Sequence, residues 1–166
     1  MKYIYAPHRS AYFTAPKPEG CLFCRLPKAD KAEDKKNLIA FRGAHVYVVL
    51  NKYPYNNGHT MVIPYKHMNF LRELPQAVLS EIYQCLGIIE ETLITDYNAE
   101  GINVGVNIGR AAGAGVLGHI HYHILPRWLG EANFMTAIAD TRVIPEDIHK
   151  TFRIISQGFT RGATRT

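Results

Sequence analysis

Several features are scarce or missing in this sequence of 166 residues. No run of about 18 apolar residues occurs, so no membrane-spanning helix is predicted. The first residues, MKYIYAPHRSAYF, contain neither an apolar stretch nor a small-residue cleavage site, which argues against a signal peptide. Internal repeats and low-complexity segments are also absent. These absences favour a protein of the cytoplasm with no membrane partner.

Cysteine is rare, and positive charge is not concentrated into a stripe. The chain has three cysteines, two of them in the motif CLFC at Cys21 and Cys24, which argues against a disulfide framework and for a reducing compartment. The formal net charge of +5 would suit a polyanionic ligand. Part of that charge lies in the last ten residues, and no basic stripe alternates with aromatic residues. Nucleic-acid binding is therefore not predicted.

Length and composition indicate one domain. A chain of 166 residues with 47% hydrophobic residues can bury one sizeable core and leaves little room for another. We predict a single domain over residues 1–155, in which the Pro-rich residues 1–20 form an arm. Residues 156–166 are predicted to be a flexible tail.

Hydrophobic periodicity predicts an α+β fold. Strands are predicted at residues 37–41, 45–51, 59–64, 102–107 and 119–125. A long helix begins near Pro75, and a C-terminal helix covers residues 146–156. The apolar stripe of the long helix consists of Leu79, Ile82, Leu86, Ile89 and Leu93. The arrangement predicts a five-stranded, mainly antiparallel sheet packed with these helices. Cys85 lies beside the stripe and is predicted to be a buried, unreactive residue.

Three histidines alternate with apolar residues in the last predicted strand. In HIHYHIL, His119, His121 and His123 share one face because side chains of a strand alternate. A lone inward histidine is most often a satisfied core residue. Three in register each need a hydrogen-bond partner, which a core strand does not require. The row therefore predicts a functional site.

A glycine-rich loop precedes this row directly. Residues 109–118 read GRAAGAGVLG, and dense glycine lets backbone amides approach an anion, with Arg110 adding charge. A phosphate cradle is predicted, and a flexible hairpin is the alternative. Residues 113–118 match the dinucleotide pattern G-x-G-x-x-G, but a strand follows where that motif needs a helix. Dinucleotide binding is therefore rejected.

The Cys-x-x-Cys motif supplies half of a tetrahedral zinc site. A thioredoxin-like redox pair is a competing explanation, although the βαβ context of such pairs is missing. Chance proximity of the two cysteines is another. The residues alone leave open which histidines would complete the site.

Taken together, the chain resembles the histidine-triad (HIT) superfamily of nucleotidyl hydrolases and transferases, whose signature is His-φ-His-φ-His-φ-φ. The segments NKYPYNNGHTMVIPYKH, NVGVNIGRAAGAG and HIHYHILPRWLGEANFM are similar to the branch that contains bacterial diadenosine tetraphosphate phosphorylases. The resemblance covers most of residues 20–155 and implies a HIT-like fold. In the loop, Ala114 and Gly115 stand where many relatives have Gln and Ser or Thr. Side-chain contacts to the phosphate are therefore reduced, and backbone amides must supply more of the phosphate binding.

The resemblance implies roles for the catalytic residues. His121 would attack the α-phosphorus and become a nucleotidyl-histidine, a role that a neutral imidazole can perform near pH 7. His123 would hydrogen-bond the bridging or leaving oxygen, and His119 completes the triad.

The resemblance also implies how the nucleotide is bound. Asn51 would bind the ribose, and Val49 and Met61 would flank the base. The phosphates would be held by His59, Asn107 and the backbone of residues 113–116, including Gly113 and Gly115. No organic cofactor is expected.

A zinc site is implied by relatives that carry Cys-x-x-Cys. Its ligands would be Cys21, Cys24, His67 and His119. Because a closed four-ligand site has no open position for substrate, this zinc would be structural and would anchor the N-terminal arm to the sheet.

The leading hypothesis is an enzyme that cleaves diadenosine polyphosphates or related AMP esters, with water or phosphate as the acceptor of AMP. Alternatives are an AMP-ester or phosphoramidate hydrolase of the same family, a cupin-like metal oxygenase or isomerase, and a non-enzymatic nucleotide-binding protein. The resemblance also implies a homodimer whose sheets join across a two-fold axis. Trp128 and residues 129–135 are predicted to reach the partner's site.

Overall fold

In the computed structural model, which describes residues 20–130 and 146–163, the strands form one sheet. Its order is β1-β2-β3-β5-β4, and all neighbouring strands are antiparallel. The bounds are β1 Ile39–Arg42, β2 Val46–Leu50, β3 Thr60–Pro64, β4 Gly101–Val106 and β5 Tyr122–Arg127. The predicted α+β class and the predicted antiparallel sheet are confirmed.

Helices accompany this sheet. They are α1 Leu22–Arg25, α2 Asp34–Asn37, α3 Gln76–Tyr97 and α4 Ile148–Ala163. Single 3-10 turns cover Leu26–Lys28, Lys31–Glu33, Leu71–Glu73 and Arg110–Ala112. None of the helices in the described ranges is long and apolar enough to cross a membrane. The predicted arm of residues 1–20 lies, except for Gly20, outside the described residues.

The long helix α3 packs its predicted stripe against the sheet. Ile82, Leu86, Ile89 and Leu93 are buried, and the helix lies against β2, β3, β5 and α4. Cys85 is buried among them, and this burial raises the pKa of its thiol to about 12. The predicted burial of Cys85 is confirmed.

The glutamate Glu81 of α3 also fixes the hairpin between β1 and β2. One carboxylate oxygen accepts from the amide of Ala44 at 2.7 Å and the other from that of His45 at 2.6 Å. A Cβ on Gly43 would stand 2.2 Å from this carboxylate, so a larger residue there would displace Glu81 from these two bonds. The hairpin sets the register that carries β2 into the centre of the sheet.

An ion pair attaches the segment before β1 to the sheet. The Arg42 guanidinium contacts the Asp34 carboxylate at 2.6 Å and donates to the carbonyl oxygens of Pro27, at 2.6 Å, and Ala29, at 3.2 Å. Both charged side chains are largely shielded from solvent, and the fork of Arg42 satisfies three acceptors at once. The contacts hold the chain between α1 and β1 in place.

The C-terminal helix is longer than predicted. The sequence predicts a helix over residues 146–156 and a flexible tail over residues 156–166. This prediction is wrong, because α4 continues to Ala163. Phe159 is 5% exposed and stacks on Phe41 with ring centroids 4.3 Å apart. Gly158 lies so close to α3 that a Cβ would stand 2.0 Å from the hydroxyl of Thr92. This packing keeps the last turns of the helix on the domain, so its boundary extends past residue 155.

The histidine row is only partly a strand. β5 begins at Tyr122, so His119 and His121 lie ahead of it, and the predicted strand over residues 119–125 is wrong at its start. The amide of Ile120 donates to the carbonyl of Met68 at 2.7 Å, beyond the end of β3. The segment from His119 to His121 therefore runs alongside the residues after β3 and lies outside the regular strand pairing of the sheet.

Candidate active site

Strands β3 and β5 bring the histidines together on one face of the sheet. Met61 pairs with His123, and Val49 of β2 pairs with Met61, so the three side chains form a row across the strands. His59 lies just before β3, and its Nε2 is 2.9 Å from Nδ1 of His123. The rings of His121 and His123 meet edge-on, with centroids 4.9 Å apart.

The protonation of His121 follows from its hydrogen bond. Its Nδ1 lies 2.8 Å from the backbone oxygen of His119, and a carbonyl can only accept, so the proton is on Nδ1. Burial lowers the pKa of His121, although the bond to this carbonyl partly opposes the effect. The ring is therefore neutral at pH 7, and its lone pair is on Nε2. That atom can act as a nucleophile.

A chain of hydrogen bonds sets the tautomers of His59 and His123. The backbone N–H of Tyr55 donates to Nδ1 of His59 at 3.1 Å, which places the proton of a neutral His59 on Nε2. Nε2 then donates to Nδ1 of His123, whose own proton must be on Nε2. His123 thus presents an N–H donor on the same face as the lone pair of His121.

Burial keeps both of these histidines neutral. Desolvation, with smaller contributions from nearby histidines, lowers the pKa of His59 to about 3. Desolvation and the neighbouring His121 lower the pKa of His123 to about 4. A neutral network of this kind presents the N–H of His123 as a hydrogen-bond donor without placing a charge in the free site.

The predicted nucleotide contacts lie around this network. Val49 and Met61 are buried and form an apolar floor. Asn51 follows β2, where its side-chain oxygen accepts from the amide of Tyr53 at 2.9 Å and its amide nitrogen lies 3.3 Å from Nδ1 of His59. Asn51 is half-buried, so it lies at the border between floor and solvent.

The glycine loop begins after β4 and leads to His119. Asn107 is half-buried directly after the strand, and Gly113 and Gly115 are exposed. Gly113 has φ +81°, a conformation that favours glycine, and its amide donates to the carbonyl of Arg110 at 3.0 Å. The amide of Gly113 is therefore already used within the loop.

The predicted metal ligands converge. Cys21, Cys24, His67 and His119 have ligand atoms that all lie within 4.8 Å of one another. Sulfur to Nδ1 distances are 3.3 Å from Cys21 to His119 and 3.4 Å from Cys24 to His67. Nε2 of His119 donates to the carbonyl of Pro64 at 2.8 Å, which leaves Nδ1 unprotonated and directed at the sulfurs. These four side chains can hold a metal ion.

Trp128 packs beside the end of α3 in its own chain. Its Nε1 donates to the carbonyl oxygen of Asn98 at 2.9 Å, at the end of α3. That contact lies within one chain, so the role of Trp128 at a partner's site stays a prediction. Leu129 beside it is 89% exposed. The rest of the segment, residues 131–135, lies outside the described residues.

Tyr55 is the participant that sequence reasoning missed. Its backbone amide orients His59, and its ring packs on His59 with centroids 4.6 Å apart. Because the contact is made by the main chain, the residue type at position 55 does not indicate it. The adjacent turn residues of YNNG, which bend the chain back toward His59, are the available signal.

Comparison with known proteins identifies the family. A sequence model of the HIT domain matches residues 31–128. The chain belongs to the HIT family. The AP-4-A phosphorylase of Mycobacterium tuberculosis is 38% identical to this HIT protein over 139 residues, which cover 84% of this chain and 70% of that protein. The chain is thus an enzyme of a family of nucleotide hydrolases and transferases.

Solved HIT structures confirm the fold. A Zn-bound histidine triad family protein from Mycobacterium smegmatis superposes with a TM-score of 0.69 at 23% identity, covering 89% of this chain and 98% of that one. A hypothetical histidine triad nucleotide-binding protein from Sulfolobus tokodaii gives 0.65 at 26% identity, covering 85% and 93%. The predicted HIT-like architecture is therefore confirmed.

Proposed function

We propose that this HIT enzyme cleaves diadenosine polyphosphates or related AMP esters through a covalent AMP adduct on His121. The observation that carries the proposal is the bond from Nδ1 of His121 to the backbone of His119, which leaves Nε2 as the nucleophile. The similarity to the AP-4-A phosphorylase of M. tuberculosis over most of the chain supports the substrate class.

In the first step, Nε2 of His121 attacks the α-phosphorus. A P–N bond forms as the bond from phosphorus to the bridging oxygen breaks, and the leaving group departs as an anion whose new terminal oxygen accepts a hydrogen bond from Nε2–H of His123. In the second step, water or inorganic phosphate attacks the phosphorus of the adduct, the P–N bond breaks, and the proton of an attacking water passes to bulk solvent. His121 is released unchanged, with AMP or ADP as product.

His59 acts through His123 in this scheme. Since both of its ring nitrogens have protein partners, we assign it the orientation of His123 in place of the direct phosphate contact first predicted. Its bond to Nδ1 of His123 keeps the donating proton on the opposite nitrogen, where the leaving oxygen would lie.

The remaining residues would bind the nucleotide. Val49 and Met61 would contact the base, and Asn51 the ribose hydroxyls. Asn107 would hold the phosphates together with the amides of Gly115 and Val116, because the amide of Gly113 is occupied within its turn. Amides directed at the equatorial oxygens would stabilise the charge that develops there.

We also propose that the four-residue cluster binds zinc. Zinc bonds of about 2.3 Å to sulfur and about 2.0–2.1 Å to nitrogen place tetrahedral S and N ligands about 3.5 Å apart. The observed separations of 3.3 to 3.5 Å fit that requirement. Burial and the neighbouring Cys21 raise the pKa of the Cys24 thiol, and a cation between the sulfurs would reverse this effect. With four protein ligands the ion would be structural.

A homodimer through β4 completes the proposal. Among the strands that the structure describes, β4 lies at the edge of the sheet, and Val104 in it is 50% exposed. Tyr83 and Ile94 expose further apolar surface on α3. Antiparallel pairing of β4 with its copy would cover the unpaired edge and join the sheets about a two-fold axis.

Two other functions are less well supported. A cupin-like site would need several row histidines on one ion, but within the described ranges the group able to hold a metal contains neither His121 nor His123. A purely binding protein would not need the complementary tautomers of these two residues. The three free cysteines suit a reducing, cytoplasmic location, which stays a prediction.

The test is product analysis with diadenosine tetraphosphate, with and without inorganic phosphate. Phosphorolysis gives ADP and ATP, whereas hydrolysis gives AMP and ATP. We expect turnover by the wild type and none by His121→Ala. Unchanged turnover in that variant, or none in the wild type, would refute the proposal.

A further inference from the structure

The residue between the two cysteines of the metal cluster contacts the proposed nucleophile. Phe23 is 4% exposed, and its ring centroid lies 4.9 Å from that of His121, with the planes tilted by 59°. The same ring meets His119 edge-on at 5.7 Å. In the sequence this position is only a spacer of the Cys-x-x-Cys motif, and the reaction scheme gives it no role.

The backbone of Phe23 is fixed from two sides. On one side, the short helix α1 carries it between Cys21 and Cys24, with the amide of Cys24 bonded to the carbonyl of Cys21 at 3.2 Å. On the other side, the hydroxyl of Tyr47, a fully buried residue of β2, donates to the carbonyl of Phe23 at 2.8 Å. The ring therefore has little freedom to move away from His121.

Besides the ring of His123, two contacts hold His121, and these two come from residues of the metal-binding region. The carbonyl of the ligand His119 accepts from Nδ1, and Phe23 packs on the ring. A single hydrogen bond fixes one ring atom but lets an imidazole tilt about it. Packing against Phe23 restricts this tilt, so Nε2 is held in one direction.

We propose that Phe23 is a positioning residue that links the Cys21–Cys24 turn to the orientation of His121, an inference that rests on the proposed role of His121 as nucleophile. In-line attack needs the reacting atoms aligned, and a misplacement of about 1 Å can cost about 100-fold in rate. The turn would thus set the catalytic geometry although its ligands do not touch the substrate.

Kinetics can separate this role from simple core packing. We expect Phe23→Ala to lower kcat by about 10- to 100-fold with KM changed by less than about 2-fold, and Phe23→Leu to recover most of the loss. Phe159→Ala is the matched control, because Phe159 has the same side chain and similar burial, and it packs on Phe41. Equal kcat in the Phe23→Ala and Phe159→Ala variants, or a loss that lies wholly in KM, would overturn the proposal.

A second readout does not depend on activity. Imidazole ¹⁵N–¹H spectra of the zinc-loaded protein at about pH 8, where a histidine is neutral, report which nitrogen of His121 carries the proton. We expect a single Nδ1–H form in the wild type and averaged tautomers in Phe23→Ala. Removing the metal from the wild type with a chelator should produce the same averaging without any substitution.

The two readouts distinguish failure of this inference from failure of the proposed function. Suppose that the wild type turns over no nucleotide, but that the His121 tautomers become averaged in Phe23→Ala or after chelation. That result would refute the proposed function and support the positioning role. An active wild type whose His121 signal is unchanged by both treatments would refute the positioning role alone.

Discussion

Nε2 of His59 donates a hydrogen bond to Nδ1 of His123 across 2.9 Å. This contact decides which nitrogen of His123 can donate to a ligand, because a neutral imidazole has one N–H. It joins the residue before β3 to the second residue of β5, which are 64 positions apart in sequence. A donor and a nucleophile thus stand side by side on neighbouring histidines.

The first prediction concerns His59. Replacement by Ala removes the bond that orients His123, so kcat should fall by about 100-fold, in the range of a lost hydrogen-bond donor to developing charge. His59→Gln, which can still donate from its amide, should retain part of the activity. Steady-state kinetics with diadenosine tetraphosphate measures both. His45→Ala is the control, because His45 is exposed on the β1–β2 hairpin. If His59→Ala kept the rate of this control, the orienting role would be wrong.

The second prediction concerns acid stability. Burial lowers the pKa of His123 to about 4 and that of His59 to about 3, so the folded state favours the neutral rings. The stabilisation is complete above the unfolded pKa of about 6.5 and is lost as the pH falls through the folded values. In this window the free energy of unfolding should fall by up to about 1.4 kcal/mol per pH unit for each ring.

Urea titrations at a series of pH values measure this loss. The His123→Gln variant should show a shallower decline between about pH 6.5 and 4 than the wild type, since its side chain does not titrate. Parallel curves for the two proteins would show that His123 is not kept neutral by the fold.

The third prediction concerns the metal. Cys24→Ala should lose stoichiometric zinc and melt at a lower temperature, because a structural ion contributes its binding energy to folding. Cys85→Ala is the matched control and should keep its zinc, since that thiol is buried in α3. Elemental analysis and thermal melts measure both effects. Full zinc content in Cys24→Ala would contradict the proposed ligand set.

The fourth prediction concerns assembly. Val104→Arg places a charge on the exposed β4 edge and should convert the proposed dimer to a monomer in light-scattering chromatography. Leu71→Arg is the control, because Leu71 is similarly exposed but lies in the 3-10 turn before α3. A wild type that elutes as a monomer, or a Val104→Arg variant that stays dimeric, would show that β4 is not the interface.

Local spacing explains which features could be predicted from the sequence. The three histidines alternate along the chain, and Cys21 and Cys24 are adjacent on one turn, so each pattern is visible in a few residues. The stripe of α3 is local in the same sense. The resemblance then supplied His67, and the structure brings it to the cluster.

Contacts between distant segments explain what could not be predicted. The amide of Tyr55 reaches His59 only because the loop before β3 turns back, and Phe23 reaches His121 only after α1 packs on the sheet. In the sequence, the last turns of α4 look like a flexible tail. In the structure they are held because Gly158 fits against Thr92 and Phe159 stacks on Phe41. Residue type and periodicity do not indicate these contacts between distant segments.

The most direct test of the mechanism is mass spectrometry of the enzyme quenched during turnover of diadenosine tetraphosphate. A His123→Ala variant can be examined in parallel as a slowed enzyme, since loss of the hydrogen-bond donor to the leaving oxygen should lower the rate of turnover. We predict one AMP group attached to the peptide that contains His121, and none in His121→Ala. Turnover with AMP attached to another residue, or with no adduct in either the wild type or the slowed variant, would contradict attack by His121.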